Sequence, residues 1–235
     1  AERRVRPLPL VKKQGLCCSL AVPIPGHDRC YGVLEAHVKA PGALTRHHSS
    51  FLQAIASILG AAIARKHFEE ELKYLSTHDG LTTLYNRAFF EEEFTRLERG
   101  RQYPVTLVIV DVDGLKEVND RLGHQAGDEL LCRAAEVLKA SFRTEDLVAR
   151  MGGDEFVVLL PTFDAKAAAI ALARIRENLG IDHLAYPDLP LSISVGTATA
   201  VGSNSLTEAL QRADEMMYRE KLVKKAAHLA GKQLP

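Results

Sequence analysis

Two glycines and two carboxylates, Gly152-Gly153-Asp154-Glu155, lie between two apolar, β-prone runs, Asp146 to Met151 and Phe156 to Leu160. The runs read as the arms of a hairpin and the four residues as its turn. Gly152 and Gly153 can take positive φ and leave space for another molecule against the backbone. Asp154 and Glu155 offer the hard oxygen ligands that Mg²⁺ prefers. The same four residues would also serve as a plain turn with solvated acids, so their neighbours must decide. Asp111-Val112-Asp113 closes the run Val105 to Val112, whose nearly continuous apolar character marks a central strand buried on both faces. A carboxylate at the end of such a strand is costly unless hydrogen-bonded or metal-bound. If that strand lies beside the hairpin, Asp111 meets Asp154 and Glu155. Three carboxylates at one point repel one another unless divalent cations stand among them.

Lys116, Asn119, His124 and Asp128 follow within Gly114 to Asp128. A lysine at a helix start suits a phosphate, aided by free backbone N–H groups. Asp can accept from N1–H and N2–H₂ of guanine, while Asn can pair with O6 or N7. Asn119 and Asp128 can equally be helix caps.

The positioning elements are legible from periodicity. Leu16 to Val22 and Cys30 to Val38 read as strands around the turn Pro23 to Asp28. From about Thr45 the period changes. Phe51, Ala54, Ile58, Ala61, Phe68, Leu72 and Leu75 recur at alternating three- and four-residue steps, interrupted by Arg65. They form an apolar seam on one helix of roughly thirty residues, which fits either a single amphipathic helix or a dimerising coil. From His78 the expected order is helix Leu84–Glu98, strand Val105–Val112, one helix Lys116–Ala140, the hairpin, helix Ala165–Leu179, strand Leu191–Ala200 and helix Leu206–His228. Such an order implies an α/β sandwich, a mixed central β-sheet flanked by helices.

Of 235 residues, 46% are apolar and 26% charged, which is globular, and thirty basic side chains cancel thirty acidic ones. With no basic stripe, a nucleic-acid partner is not expected. Charges break every apolar stretch well short of a membrane span. Cys17, Cys18, Cys30 and Cys132 have neither CxxC nor zinc spacing and read as reduced thiols of a cytoplasmic protein. A start at Ala1 inside a basic segment suggests a piece of a longer protein.

Residues 77–230 resemble a GGDEF domain, the diguanylate cyclase family. The likeness runs through Asp79 to Arg87, Asp111 to Asp128, Ala149-Arg150-Met151 into Gly152 to Phe156, Ser192 to Gly196, and Ala213 to Tyr218. It implies a palm-like nucleotidyl-cyclase fold and the condensation of two GTP molecules into cyclic di-GMP with release of two pyrophosphates. It also implies that Asp111 and Asp154, with the Val112 carbonyl, hold Mg²⁺ (or Mn²⁺). Glu155 would help hold the metal and deprotonate or orient the attacking 3′-hydroxyl. Asn119 and Asp128 would read guanine, with His124 nearby. Gly152 and Gly153 would lie against the nucleotide, and Lys116 and Lys221 would hold the triphosphate. Where the family usually reads Gly-Arg-Asn after this lysine, the chain reads Lys224-Lys225-Ala226. Lys225 therefore stands at the place of a phosphate-binding arginine, without its bidentate fork.

One such site holds one GTP, so the resemblance implies two domains face to face, a homodimer set by the seam through Phe68, Leu72 and Leu75. Arg143-Thr144-Glu145-Asp146 has the RxxD pattern, with five residues between it and Gly152, where the family keeps an inhibitory product site. Arg174 would assist there. Residues 1–65 resemble the C-terminal part of a GAF domain, through Ser19 to Pro25, Tyr31 to Leu34 and the Phe51 to Ala64 helix, with residues 66–76 as a helical linker. A catalytically silent module that binds GTP or cyclic di-GMP is the alternative. Retention of the carboxylates and guanine readers favours the enzyme.

Overall fold

The computed structural model describes residues 18–100, 103–162, 164–201 and 205–231. Leu16 and Cys17, which open the first expected strand, lie outside the described residues. The chain divides into two compact units, residues 1–73 and 74–235. In the first, β1 (Cys18–Ile24) pairs antiparallel with β2 (Gly32–Val38), Cys18 opposite Val38 and Ile24 opposite Gly32. Helix α1 (Arg46–Thr77) begins in this unit and ends in the next. The seam expected on it is uncovered: Phe51, Ile58, Phe68, Leu72 and Leu75 are 58% to 69% exposed. Among the described residues no helix is long and apolar enough to cross a membrane.

The second unit runs β3 (Tyr85–Asn86), α2 (Arg87–Gly100), β4 (Val105–Val112), α3 (Leu115–Leu122), α4 (His124–Ser141), β5 (Leu147–Gly152), β6 (Glu155–Pro161), α5 (Ala165–Ala185), β7 (Ile193–Ala200) and α6 (Leu206–Gly231). Its sheet has the order β3-β5-β6-β4-β7, with β3 parallel to β5 and the other pairs antiparallel. This is the mixed sheet expected. Strand alternation divides the core into two layers. Val108, Val110 and Val112 of β4 join Phe156, Val158 and Leu160 of β6 against Leu130 and Leu138 of α4 and Ile175 of α5. Val105 and Leu107 join Val157 and Leu159 against Phe90 and Leu97 of α2 and Ala209 and Ala213 of α6. Leu107 and Leu138 are fully buried; truncating either to Ala would cost about 2–5 kcal/mol. The same alternation puts Asp111 and Asp113 on the face that α6 covers.

Three differences from expectation have a visible physical cause. Helix α2 starts at Arg87 rather than Leu84, because Tyr85 and Asn86 pair with Ala149 and Arg150. Asn86 then caps the helix, its Oδ1 accepting the Phe89 N–H at 3.0 Å. The expected helix Lys116–Ala140 is two helices. Gly123, at φ 89°, donates its N–H to the Asn119 carbonyl and turns the chain between them. Helix α5 runs past Leu179 to Ala185, docked by a buried ion pair of Arg133 with Asp182 at 2.5 Å. Arg133 also donates to the Leu189 carbonyl at 2.8 Å.

Candidate functional site

The strand that carries Asp111 lies beside the hairpin. Asp111 pairs with Glu155 in the β4–β6 register, and the Val112 N–H donates to the Asp154 carbonyl at 3.0 Å. A two-residue loop, Gly153-Asp154, joins Gly152 to Glu155, and the register slips between Arg150 and Gly152. Positive φ at both Gly152 (134°) and Gly153 (56°) makes this tight turn possible without side-chain strain. The backbone thus brings the three acidic positions to one end of the central strand.

Their side chains do not gather as three. Asp111 is buried, Asp154 half-buried and Glu155 exposed. Among the described residues no three His, Cys, Asp or Glu side chains are grouped to hold a metal. Lys221 of α6 stands there instead, its Nζ 2.7 Å from Asp111 Oδ2. The physical reason is charge. Burial pushes the Asp111 carboxyl above its ordinary value, the Lys221 bond opposes that, and the charges of Asp154 and Asp113 add to the rise. Burial acts to lower Lys221, but its bond to Asp111 and the charges of Asp111, Asp154 and Asp113 hold the ammonium above the usual lysine value. Asp111 Oδ1 remains buried without a hydrogen-bond partner among the described residues. An oxygen in that state costs free energy, and a hard cation bound between Asp111 and Asp154 would satisfy it. The donor set therefore fits a divalent ion.

Asp113 belongs to the same face. Its two oxygens accept from Ser192 and Ser194 hydroxyls, each at 2.7 Å, and Lys224 Nζ lies 3.6 Å away. Sequence reading passed over Asp113 and Lys224. The signal was available, since residues two apart on a strand share a face.

Helix α3 begins right after Gly114, which contributes no side-chain cap, and Lys116 is exposed in its first turn. Glycines bound α3 at both ends and precede α4, so neither Asn119 nor Asp128 caps a helix. Gly127 gives Asn119 its place: a Cβ there would stand 2.0 Å from Asn119 Oδ1. That oxygen is buried and has no partner among the described residues. Asp128, next to Gly127, and His124 are exposed on the first turns of α4.

Arg150, one strand position from the bulge, was not anticipated as a site residue. Its Nη2 donates to the Gly153 carbonyl at 2.8 Å and its Nη1 to Asp79 Oδ1 at 3.1 Å. Asp79 also accepts from the Thr82 amide at 2.8 Å and hydroxyl at 2.7 Å. The turn is thereby tied to the segment that follows α1.

On the α4–β5 connection, Asp146 is buried and its Oδ2 accepts the Arg143 N–H at 2.8 Å. Burial raises its carboxyl above the ordinary value, opposed by that bond. Arg143, Asp146 and Arg174 line one cleft of about 300 Å³ with Phe142 and Ile170. Lys225 is exposed on α6.

The description "Diguanylate cyclase, GGDEF domain" matches residues 76–226, and a GAF domain description matches residues 1–63. Diguanylate cyclase DgcM of Escherichia coli K12 is 35% identical over 163 residues, covering 67% of this chain and 39% of that protein. The YtrP protein of Bacillus subtilis is 31% identical over 211 residues, covering 89% and 36%. The chain thus spans less than half the length of these relatives. The coiled coil and GGDEF domain of Caulobacter crescentus DgcB, solved with c-di-GMP, superposes with a TM-score of 0.60 at 28% identity, over 72% of this chain and 94% of that one. A microbial GGDEF domain solved with cyclic di-GMP gives 0.55 at 32% identity, covering 65% and 94%. The mixed five-stranded sheet and the hairpin at the end of its central strand are therefore those of a known fold, and this chain belongs to the diguanylate cyclase GGDEF-domain family, with a GAF segment ahead of that domain.

Proposed function

We propose that the chain is a diguanylate cyclase that condenses two GTP into cyclic di-GMP, as a pair of half-sites, in the cytoplasm where GTP is available. The observation that carries the reading is the juxtaposition of Asp111 with the Gly152–Glu155 turn in the β4–β6 register. Residues 77–230 act as the cyclase domain, 66–76 as the linker and 1–65 as the GAF segment.

In the reaction the 3′-oxygen of each GTP attacks the α-phosphorus of the other. Each new P–O bond forms as the bond to the β-phosphate oxygen breaks, and two pyrophosphates leave. Glu155, exposed at the first position of β6, accepts or orients the 3′-hydroxyl proton. Asn119, whose Oδ1 is unsatisfied, and Asp128 read the guanine edge, with His124 at its border. Gly152 and Gly153 let the nucleotide approach the backbone. Lys116 with the uncapped start of α3, and Lys221, attract the triphosphate. A Mg²⁺ or Mn²⁺ ion held by Asp111, Asp154, Glu155 and the Val112 carbonyl would neutralise charge on the triphosphate and the leaving pyrophosphate.

One domain presents one such surface, so the exposed seam Phe68, Leu72 and Leu75 is assigned to pairing two copies. Arg143, Asp146 and Arg174 would hold cyclic di-GMP as an inhibitor, since guanidinium groups match phosphates and stack on guanine. Incubation of purified protein with GTP and Mg²⁺, followed by chromatography, tests the enzyme reading. Cyclic di-GMP as product supports it. Intact nucleotide binding without product would leave a silent binding module.

A further inference from the structure

We propose that Lys224, rather than Lys225, is the second phosphate-binding cation of α6, acting beside Lys221 on the terminal phosphates of a nucleoside polyphosphate. The proposal rests on the GTP reading above.

Helix α6 continues unbroken from Leu206 to Gly231. Its inward stripe is Leu206, Ala209, Ala213 and Met217, all buried, followed by Lys221 and Lys224, both half-buried. These follow one another at three- and four-residue steps, the spacing of one helix face. Lys225 falls one residue beyond the stripe and is exposed. Because no glycine ends the helix here, the position inward of Lys221 by one turn belongs to residue 224.

The stripe meets the sheet where the odd-numbered residues of β4 emerge. Lys221 takes Asp111, and Lys224 lies 3.6 Å from Asp113 while donating to the Ile193 carbonyl on β7. Glu220, 2.9 Å from Lys224, holds it from the preceding turn. The two ammonium groups therefore sit side by side along the ends of β4 and β7, next to the Gly114 turn that opens α3. Lys224 can leave Asp113 without stranding a bare carboxylate, because the Ser192 and Ser194 hydroxyls remain on both Asp113 oxygens. Two adjacent point charges would take over what a guanidinium fork does.

The test is equilibrium binding of GTP and of GMP, with Mg²⁺, to the full chain and to its K224M, K224R and K225M variants. K224M should weaken GTP about tenfold, with GMP unchanged and K224R restoring most of the loss. K225M should stay within about twofold. In the wild type, bound GTP should protect Lys224 from amine acetylation, read by mass spectrometry, and leave Lys225 labelled as before. That readout needs no variant to fold. GTP affinity unchanged in K224M, equal loss for GMP, or protection of Lys225 instead would overturn the proposal. A wild type that binds no GTP overturns the nucleotide reading itself, and is distinguishable because no variant comparison then arises.

Discussion

Arg150 joins Asp79 at 3.1 Å while its other terminal nitrogen holds the Gly153 carbonyl at 2.8 Å. The residue that follows the linker helix by two positions is thus one side chain away from the signature turn. Both partners are mostly buried, with side-chain exposures of 12% and 25%. A charge-assisted bond in that setting contributes about 1.5–3 kcal/mol. Arg150→Met should lower stability by that order, measured by denaturant unfolding.

The same pair sets a pH dependence. Burial acts to raise the Asp79 carboxyl, but bonds from the Thr82 hydroxyl and amide and from Arg150 outweigh it, holding the group below its ordinary value. The folded state then binds this proton more weakly than the unfolded chain. The stabilisation is present above the unfolded value of 3.8 and is lost as pH falls through the lower folded value. Asp79→Asn should be less stable than wild type near neutral pH, and the difference should shrink at acid pH, in denaturant titrations across that range.

Asp111 carries a buried, unpartnered Oδ1 and an ion pair to Lys221. Added Mg²⁺ with GTP should raise the unfolding temperature of the wild type, and Asp111→Asn should abolish the increment. Calorimetric scanning reads both. Lys221→Met should cost about 1–2 kcal/mol without ligand, because it leaves that carboxylate unpaired in a partly solvated site.

Base selectivity should rest on Asn119 and Asp128. Asn119→Ala or Asp128→Ala should raise the KM for GTP about tenfold or more and narrow the preference for GTP over ATP. Equal losses for both nucleotides in steady-state kinetics would remove the guanine-reading roles.

Arg143→Ala should relieve inhibition by added cyclic di-GMP while leaving initial rates near those of wild type. Progress curves with and without added product measure this. Inhibition unchanged by the substitution would take Arg143 out of the product site.

The parts of this fold that were legible in sequence are those with a strong local signal. The nearly continuous apolar run Val105 to Val112 marked a buried strand, the two glycines marked the hairpin turn, and Leu206 to His228 marked a long closing helix. A lone glycine inside a helical pattern usually passes without a break, so Gly123 did not disclose that it divides α3 from α4. The two-residue strand Tyr85–Asn86 is too short to have a period. At the site, residue types pointed to the acids and to Asn119 and Asp128, the residues proposed to read guanine. They did not reveal Lys221 seated on Asp111, or Lys224 beside Asp113, because those contacts depend on which face of β4 meets α6.

The reading of the hairpin as a catalytic half-site is tested most directly by assaying wild type and Glu155→Gln together for pyrophosphate and cyclic di-GMP from GTP and Mg²⁺. The expected result is two pyrophosphates per cyclic product from the wild type, and neither from the variant while it still binds GTP. Equal product formation by the variant, or none by a GTP-binding wild type, would contradict it.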